Sequence, residues 1–143
     1  MKIISHRGNR QGSHERLENH PTYIESVVRD GYDCEIDVWY LDGSFKLGHD
    51  EPCYNVDESF LESPKLWCHA KNLAALEKMM NNSKIHSFWH EEDKFTITSK
   101  GFIWTFPDNL TTKKSVIVYK GQFWKDEKFR PEQPFGICTD FLN

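Results

Sequence analysis

Short strand-like runs recur along the whole chain, whereas helical periodicity is confined to the residues before 90. Runs rich in β-branched, aromatic or alternating residues fall at 2–6, 33–40, 66–70, 85–90, 95–98, 102–106, 115–119 and 136–140. Eight is a number of strands that can close a barrel. Helices are scarcer. Pro21 suits a first helical turn, and Ile24, Val27 and Val28 then line one face as far as about Arg29. Gly31 suits the C-terminal end of that helix. A second helix fits Leu73 to Met80, with Leu73, Leu76, Met79 and Met80 spaced for one face, and Asp57 to Leu61 fits a single turn. After residue 90 almost no helical period is left. Lys100-Gly101 reads as a tight connection between two short strands, and these cannot be parallel neighbours, because a parallel crossover needs about a dozen residues or more; the second half then contains a hairpin, or one of these runs is a loop.

Three short motifs sit at or just after the first strand runs: His6-Arg7-Gly8, Glu35-Ile36-Asp37 and His49-Asp50. Side chains alternate faces along a strand, so Glu35 and Asp37 point one way and Cys34, Ile36 and Val38 the other. Two carboxylates on one face repel unless a cation lies between them, and such oxygen ligands suit Mg²⁺ or Ca²⁺ better than zinc. Histidine can donate or accept a proton near neutral pH, so His6 and His49 suit acid–base work on either side of a phosphate. Arg7 is a permanent cation whose planar fork matches phosphate oxygens, and Gly8 permits a sharp turn after the strand.

These residues resemble the glycerophosphodiester phosphodiesterase family, within the wider group of phosphatidylinositol phospholipase C-like phosphodiesterases. The family pattern of His-Arg-Gly, Glu-Asn, Glu-x-Asp, an aspartate-glycine turn and His-Asp is matched by His6-Arg7-Gly8, Glu18-Asn19, Glu35-Ile36-Asp37, Asp42-Gly43 and His49-Asp50. The family's Glu-x-Lys becomes His69-Ala70-Lys71 here, and its closing Thr-Asp is Thr139-Asp140. The resemblance is dense over 2–71, returns at 136–141 and is faint between. It implies an α/β fold, a reduced (β/α)8 barrel of the TIM type with few helices in its second half, built as one domain over residues 1–143. The chain is short for this, since such barrels usually need about 200 residues or more.

The resemblance also implies a chemistry: metal-dependent hydrolysis of a glycerophosphodiester or other phosphodiester. Glu35 and Asp37 would hold Mg²⁺ or Ca²⁺. His69 stands where the family has a glutamate, and imidazole ligation would make Mn²⁺ acceptable; alternatively His69 contacts substrate. Arg7 and Lys71 would neutralise phosphate charge, with His6 and His49 as acid and base in either order. Glu18 and Asp140 are expected to support the site, Glu18 by orienting Arg7 or a histidine. Past the run at 85–90, His90 and Asp93 are placed where barrel sites lie, and Trp104 is a candidate for stacking on substrate. Two other readings stay open: a non-catalytic phosphate- or metal-binding module on a degenerate barrel, and a cyclising lyase of the sphingomyelinase D type.

Composition narrows the partners. The net charge is −4 and basic residues are scattered, so no nucleic-acid partner is expected. No apolar run is long enough for a membrane span, and the first residues enter a strand without a signal-like apolar segment. The four cysteines, Cys34, Cys53, Cys68 and Cys138, form no Cys-x-x-Cys, and free thiols in a cytoplasmic protein are expected. The partner is expected to be a small-molecule or lipid-headgroup phosphodiester.

Overall fold

The computed structural model describes residues 1–129 and 134–143. The elements are β1 (Lys2–His6), α1 (Pro21–Arg29), β2 (Asp33–Leu41), β3 (Ser44–Leu47), β4 (Tyr54–Val56), α2 (Glu58–Leu61), β5 (Leu66–Ala70), α3 (Leu73–Met80), β6 (Ser87–Phe88), β7 (Phe95–Ile97), β8 (Ile103–Thr105), β9 (Ser115–Tyr119) and β10 (Gly136–Thr139). Each of the eight anticipated strands is present, and α1 and α3 cover the anticipated residues, but α3 buries Ala75 and Met79 and leaves Leu73 and Met80 of its expected apolar face exposed. The hairpin β3–β4 is an addition that the sequence reading did not contain.

Local chemistry sets the helix starts. His20 caps α1, its ring nitrogen accepting from the Thr22 amide, and Pro21 follows in the first turn. Asn72 caps α3 by accepting from the Ala75 amide. The same Asn72 side chain exchanges two hydrogen bonds with the Tyr40 backbone, fixing the start of α3 to β2.

All ten strands form one sheet, and seven of them run parallel in the order β6-β5-β2-β1-β10-β9-β8. The hairpin β3–β4 extends antiparallel from the end of β2, and β7 pairs antiparallel with β8 as the Lys100-Gly101 turn requires. The result is a curled mixed half-barrel, not the expected reduced (β/α)8 barrel. Two physical reasons account for the difference. A (β/α)8 barrel follows every strand with a helix, whereas only three α-helices occur among the described residues and residues 106–114 join parallel β8 and β9 without one. Closure also needs a ladder between the last strands. Here β6 is two residues long and has no ladder to β7 or β8; the Ser99 amide to the Ser87 carbonyl is the backbone link across that gap.

The sheet has two apolar faces. On the outer one Cys34, Ile36 and Val38 pack with Cys68 and Ala70 under Ile24 and Val27 of α1 and Ala75 and Met79 of α3. On the inner one Ile4, Trp67, Phe88, Trp104, Val116 and Cys138 meet. Trp67 Nε1 donates to Asp33 Oδ2 at 2.9 Å, so its buried polar tip is satisfied. This inner cluster fills the curl, and the polar ends of β1, β2, β5 and β10 continue beyond it. No helix among the described residues is long and apolar enough to cross a membrane.

Candidate metal centre and catalytic cleft

The register of the parallel strands assembles the site. Asp37 on β2 pairs with His69 on β5, and Glu35 shares Asp37's face two residues earlier. One ligand atom from each of the three lies within 4.8 Å of the others, and Glu35 and Asp37 are only 2% and 1% exposed. His69 Nδ1 is 3.3 Å from Asp37 Oδ1 and 3.7 Å from Glu35 Oε1. Its Nε2 lies 2.8 Å from the His90 carbonyl oxygen, which can only accept, so Nε2 carries a hydrogen. In the neutral ring Nδ1 then presents its lone pair to the two carboxylates, the tautomer a metal ligand needs.

The charge balance points the same way. Burial opposes ionisation of Asp37, but the neighbouring His69 ring, Arg7 and Asn19 outweigh it and hold the carboxyl well below its usual range. Burial likewise opposes a charge on His69, yet Asp37 and Glu35 push its pKa up to about 9. Protonated His69 is therefore the counter-ion of the metal-free cluster. Glu35 Oε2 and Asp37 Oδ1 are buried and accept no hydrogen bond. Two orphaned carboxylate oxygens beside an imidazole nitrogen fit a divalent cation, and among the described residues this is the group of three that does.

Around the triad the backbone is held in unusual conformations. Arg7 and Asn19 have φ of 58° and 62°, which non-glycine residues seldom adopt. Gly8 follows at φ 89°, where a Cβ would come within 2.8 Å of the Tyr23 ring. The bends bring the Arg7 amide to the Glu35 carbonyl and the Asn19 amide to the Arg7 carbonyl. Asn19 thereby meets Asp37 twice: its Nδ2 donates to Oδ2, and its Oδ1 accepts from the Asp37 amide, both at 2.9 Å.

His6 ends β1 beside the triad. Its Nδ1 is 2.9 Å from Asp140 Oδ1, leaving Nε2 toward Glu35 Oε2 at 3.8 Å, too far for a hydrogen bond. Burial opposes protonation of His6, but the Asp140 bond and the Glu35 charge prevail and raise its pKa. Asp140 is lowered in turn: burial opposes this, and His6 and Asn9 outweigh it. Arg7 Nη1 donates to Glu18 Oε2 at 3.2 Å, and Arg7 Nε lies 3.2 Å from Asp37 Oδ2 without making a hydrogen bond. Asn9, fully buried, donates to both Glu18 and Asp140 and so joins the supports of Arg7 and His6.

His6, Arg7, Glu18, His49 and Asp140 line one cleft of about 700 Å³. His6 and Arg7 thus face both the cleft and the triad. His49 is the more exposed histidine and is bonded through Nδ1 to Asp50 at 2.7 Å. Other anticipated residues stand elsewhere. Lys71 does not line this cleft, and its side chain makes no hydrogen bond or ion pair among the described residues. Trp104 is buried in the inner apolar cluster, its ring tilted against Phe88 with centroids 4.5 Å apart, and does not line the cleft. Asp93 is exposed, and His90 reaches the site through its carbonyl, its ring lying 6.5 Å from His69.

Two cleft or support residues stand outside the sequence motifs, Asn9 and Lys120, and Asn19 enters them only within Glu18-Asn19, with no role of its own. The signals were positional. Asn9 follows Arg7-Gly8 at a strand end, Asn19 is the second half of Glu18-Asn19, and Lys120 is the first residue past the run 115–119. No protein-family model, curated protein or solved structure matches this chain.

Proposed function

We propose that this protein is a metal-dependent phosphodiester hydrolase with a site like that of the glycerophosphodiester phosphodiesterases. The observation that carries this reading is one arrangement: two carboxylates, each with one buried oxygen that accepts no hydrogen bond, and a correctly presented imidazole nitrogen lie beside an Asp140-oriented histidine and an arginine. Glu35, Asp37 and His69 would hold Mg²⁺, Ca²⁺ or Mn²⁺. Such an ion supplies positive charge to phosphoryl oxygens and makes a bound nucleophile more acidic.

The chain's own residues do the rest. Asp140 accepts from His6 Nδ1, which fixes the ring and leaves Nε2 as the atom that exchanges a proton with the reacting groups. His49, held by Asp50 at the same cleft, is the second proton-transfer group. Arg7, locked by Glu18, presents a fixed cation to the phosphate. Asn9 keeps both supports, Glu18 and Asp140, in place.

Turnover of a bis-aryl phosphodiester in Mg²⁺, Ca²⁺ or Mn²⁺, abolished by chelation, is the expected result. Metal binding without turnover of this or a glycerophosphodiester identifies a binding module instead. A cyclic phosphate product identifies cyclisation in place of hydrolysis.

A further inference from the structure

We infer that Lys120 binds the charged phosphoryl oxygens of the substrate alongside Arg7, the part that the family pattern gives to Lys71. The inference deepens the hydrolase reading and rests on it for the identity of the ligand.

The register places Lys120 beside the catalytic groups. Ser5 of β1 pairs with Thr139 of β10, and Thr139 pairs with Tyr119 of β9. One residue further along, His6, Asp140 and Lys120 form a row across three parallel strand ends. The facing agrees independently. Ile4, Cys138 and Val116 belong to the inner apolar cluster with Val118 packed on it, while Ile117 and Ile137 belong to a separate cluster. Alternation then turns Lys120 to the inner side, with His6 and Asp140. Adjacent strands are about 4.8 Å apart, so the Lys120 backbone is about 10 Å from that of His6. A lysine side chain spans much of that distance, and Lys120 lines the same cleft.

Its charge is also the available one. The lining carboxylates include Glu15, Glu18, Asp50, Glu51 and Asp140. Arg7 is already committed to Glu18 and Asp37. Among the described residues Lys120 is the other lysine or arginine of the cleft, and it has no ion-pair or hydrogen-bond partner. An anion entering this acidic cleft therefore meets Lys120 as its uncommitted cation. Lys71 follows β5, stands next to the His69 strand end and does not line the cleft.

The test is equilibrium binding of inorganic phosphate to the metal-loaded protein, with turnover of a bis-aryl phosphodiester measured in parallel. Lys120→Met should weaken phosphate binding about tenfold or more, the loss of one charge-assisted contact. Lys120→Arg should restore most of it. Lys113→Met, before β9 at the opposite end of the strand, is the charge-matched comparison and should bind as wild type does. Wild-type affinity in Lys120→Met overturns the inference, as does a metal-loaded wild type that binds no phosphate. Loss in Lys71→Met with none in Lys120→Met overturns it too. Phosphate binding that depends on Lys120 in a protein that turns over no phosphodiester refutes the hydrolase reading and upholds Lys120 as an anion site.

Discussion

His69 gives its Nε2 hydrogen to the carbonyl of His90 at 2.8 Å, and by doing so turns Nδ1 toward Asp37 and Glu35. A backbone acceptor thus selects the tautomer of a side chain at the end of another strand. His69→Ala should lower divalent-metal affinity by at least about 10–100-fold, read by calorimetry. His69→Glu should move the preference from Mn²⁺ toward Mg²⁺ or Ca²⁺, since it adds a hard oxygen ligand and a negative charge. An unchanged metal ranking in His69→Glu removes His69 from the ligand set.

Metal should also stabilise the fold. Glu35 Oε2 and Asp37 Oδ1 are buried and accept no hydrogen bond, so an ion that satisfies them binds the folded chain in preference to the unfolded one. At a hundred times its Kd such an ion contributes about 2.7 kcal/mol. The thermal midpoint of the wild type should rise with added metal and fall back on chelation. In the double variant Glu35→Gln, Asp37→Asn the rise should vanish. A rise of equal size in that variant would place the ion elsewhere.

Proton transfer by the histidine pair predicts that His6→Ala and His49→Ala each lose about 10²–10⁴-fold in turnover. Asp140→Asn offers a sharper check. Asp140 both orients His6 and raises its pKa, so its amide variant should lower the His6 pKa. The His6 limb of the pH–rate profile, and the ring-proton titration seen by NMR, should both move to lower pH. A limb that stays in place assigns it to another group.

His86 makes a prediction about stability that is independent of function. It is buried against Trp67, with Nε2 2.7 Å from Thr98 Oγ1. Burial, helped by Lys100, lowers its pKa from 6.5 to about 4. Above pH 6.5 the ring is neutral in both states and costs nothing. As pH falls toward 4 the unfolded chain takes up a proton that the folded one refuses, so stability drops by up to about 3 kcal/mol and then levels off. His69 acts in a different window: its raised pKa adds stability below pH 6.5 that is lost as pH rises through about 9. Urea unfolding between pH 4 and 6.5 should show a smaller pH slope in His86→Gln than in the wild type. Equal slopes would show that His86 is not held neutral.

Periodicity alone located β1, β2, β5, β9 and β10 and the helices α1 and α3, because each carries an apolar pattern, a cap or a breaker within its own residues. The facing of Glu35 and Asp37 followed from alternation in the same way. Local signals were silent where partners lie far off in the chain. The closing of the curl depended on a ladder between β6 and β7 or β8, and nothing in residues 85–106 says whether that ladder forms. Lys71 and Lys120 each follow a strand, and the motif pattern singles out Lys71 alone. Only the register of β9 against β10 and β1 brings Lys120 into line with His6. Trp104 reads more readily as core than as a stacking surface, and the packing of Phe88 and Trp67 made it core. Element identity is a property of short segments, whose hydrogen bonds and apolar stripes close within about ten residues. Register, facing and cluster membership are set by contacts between segments up to 134 positions apart, as His6 and Asp140 are, and those the tertiary structure decided.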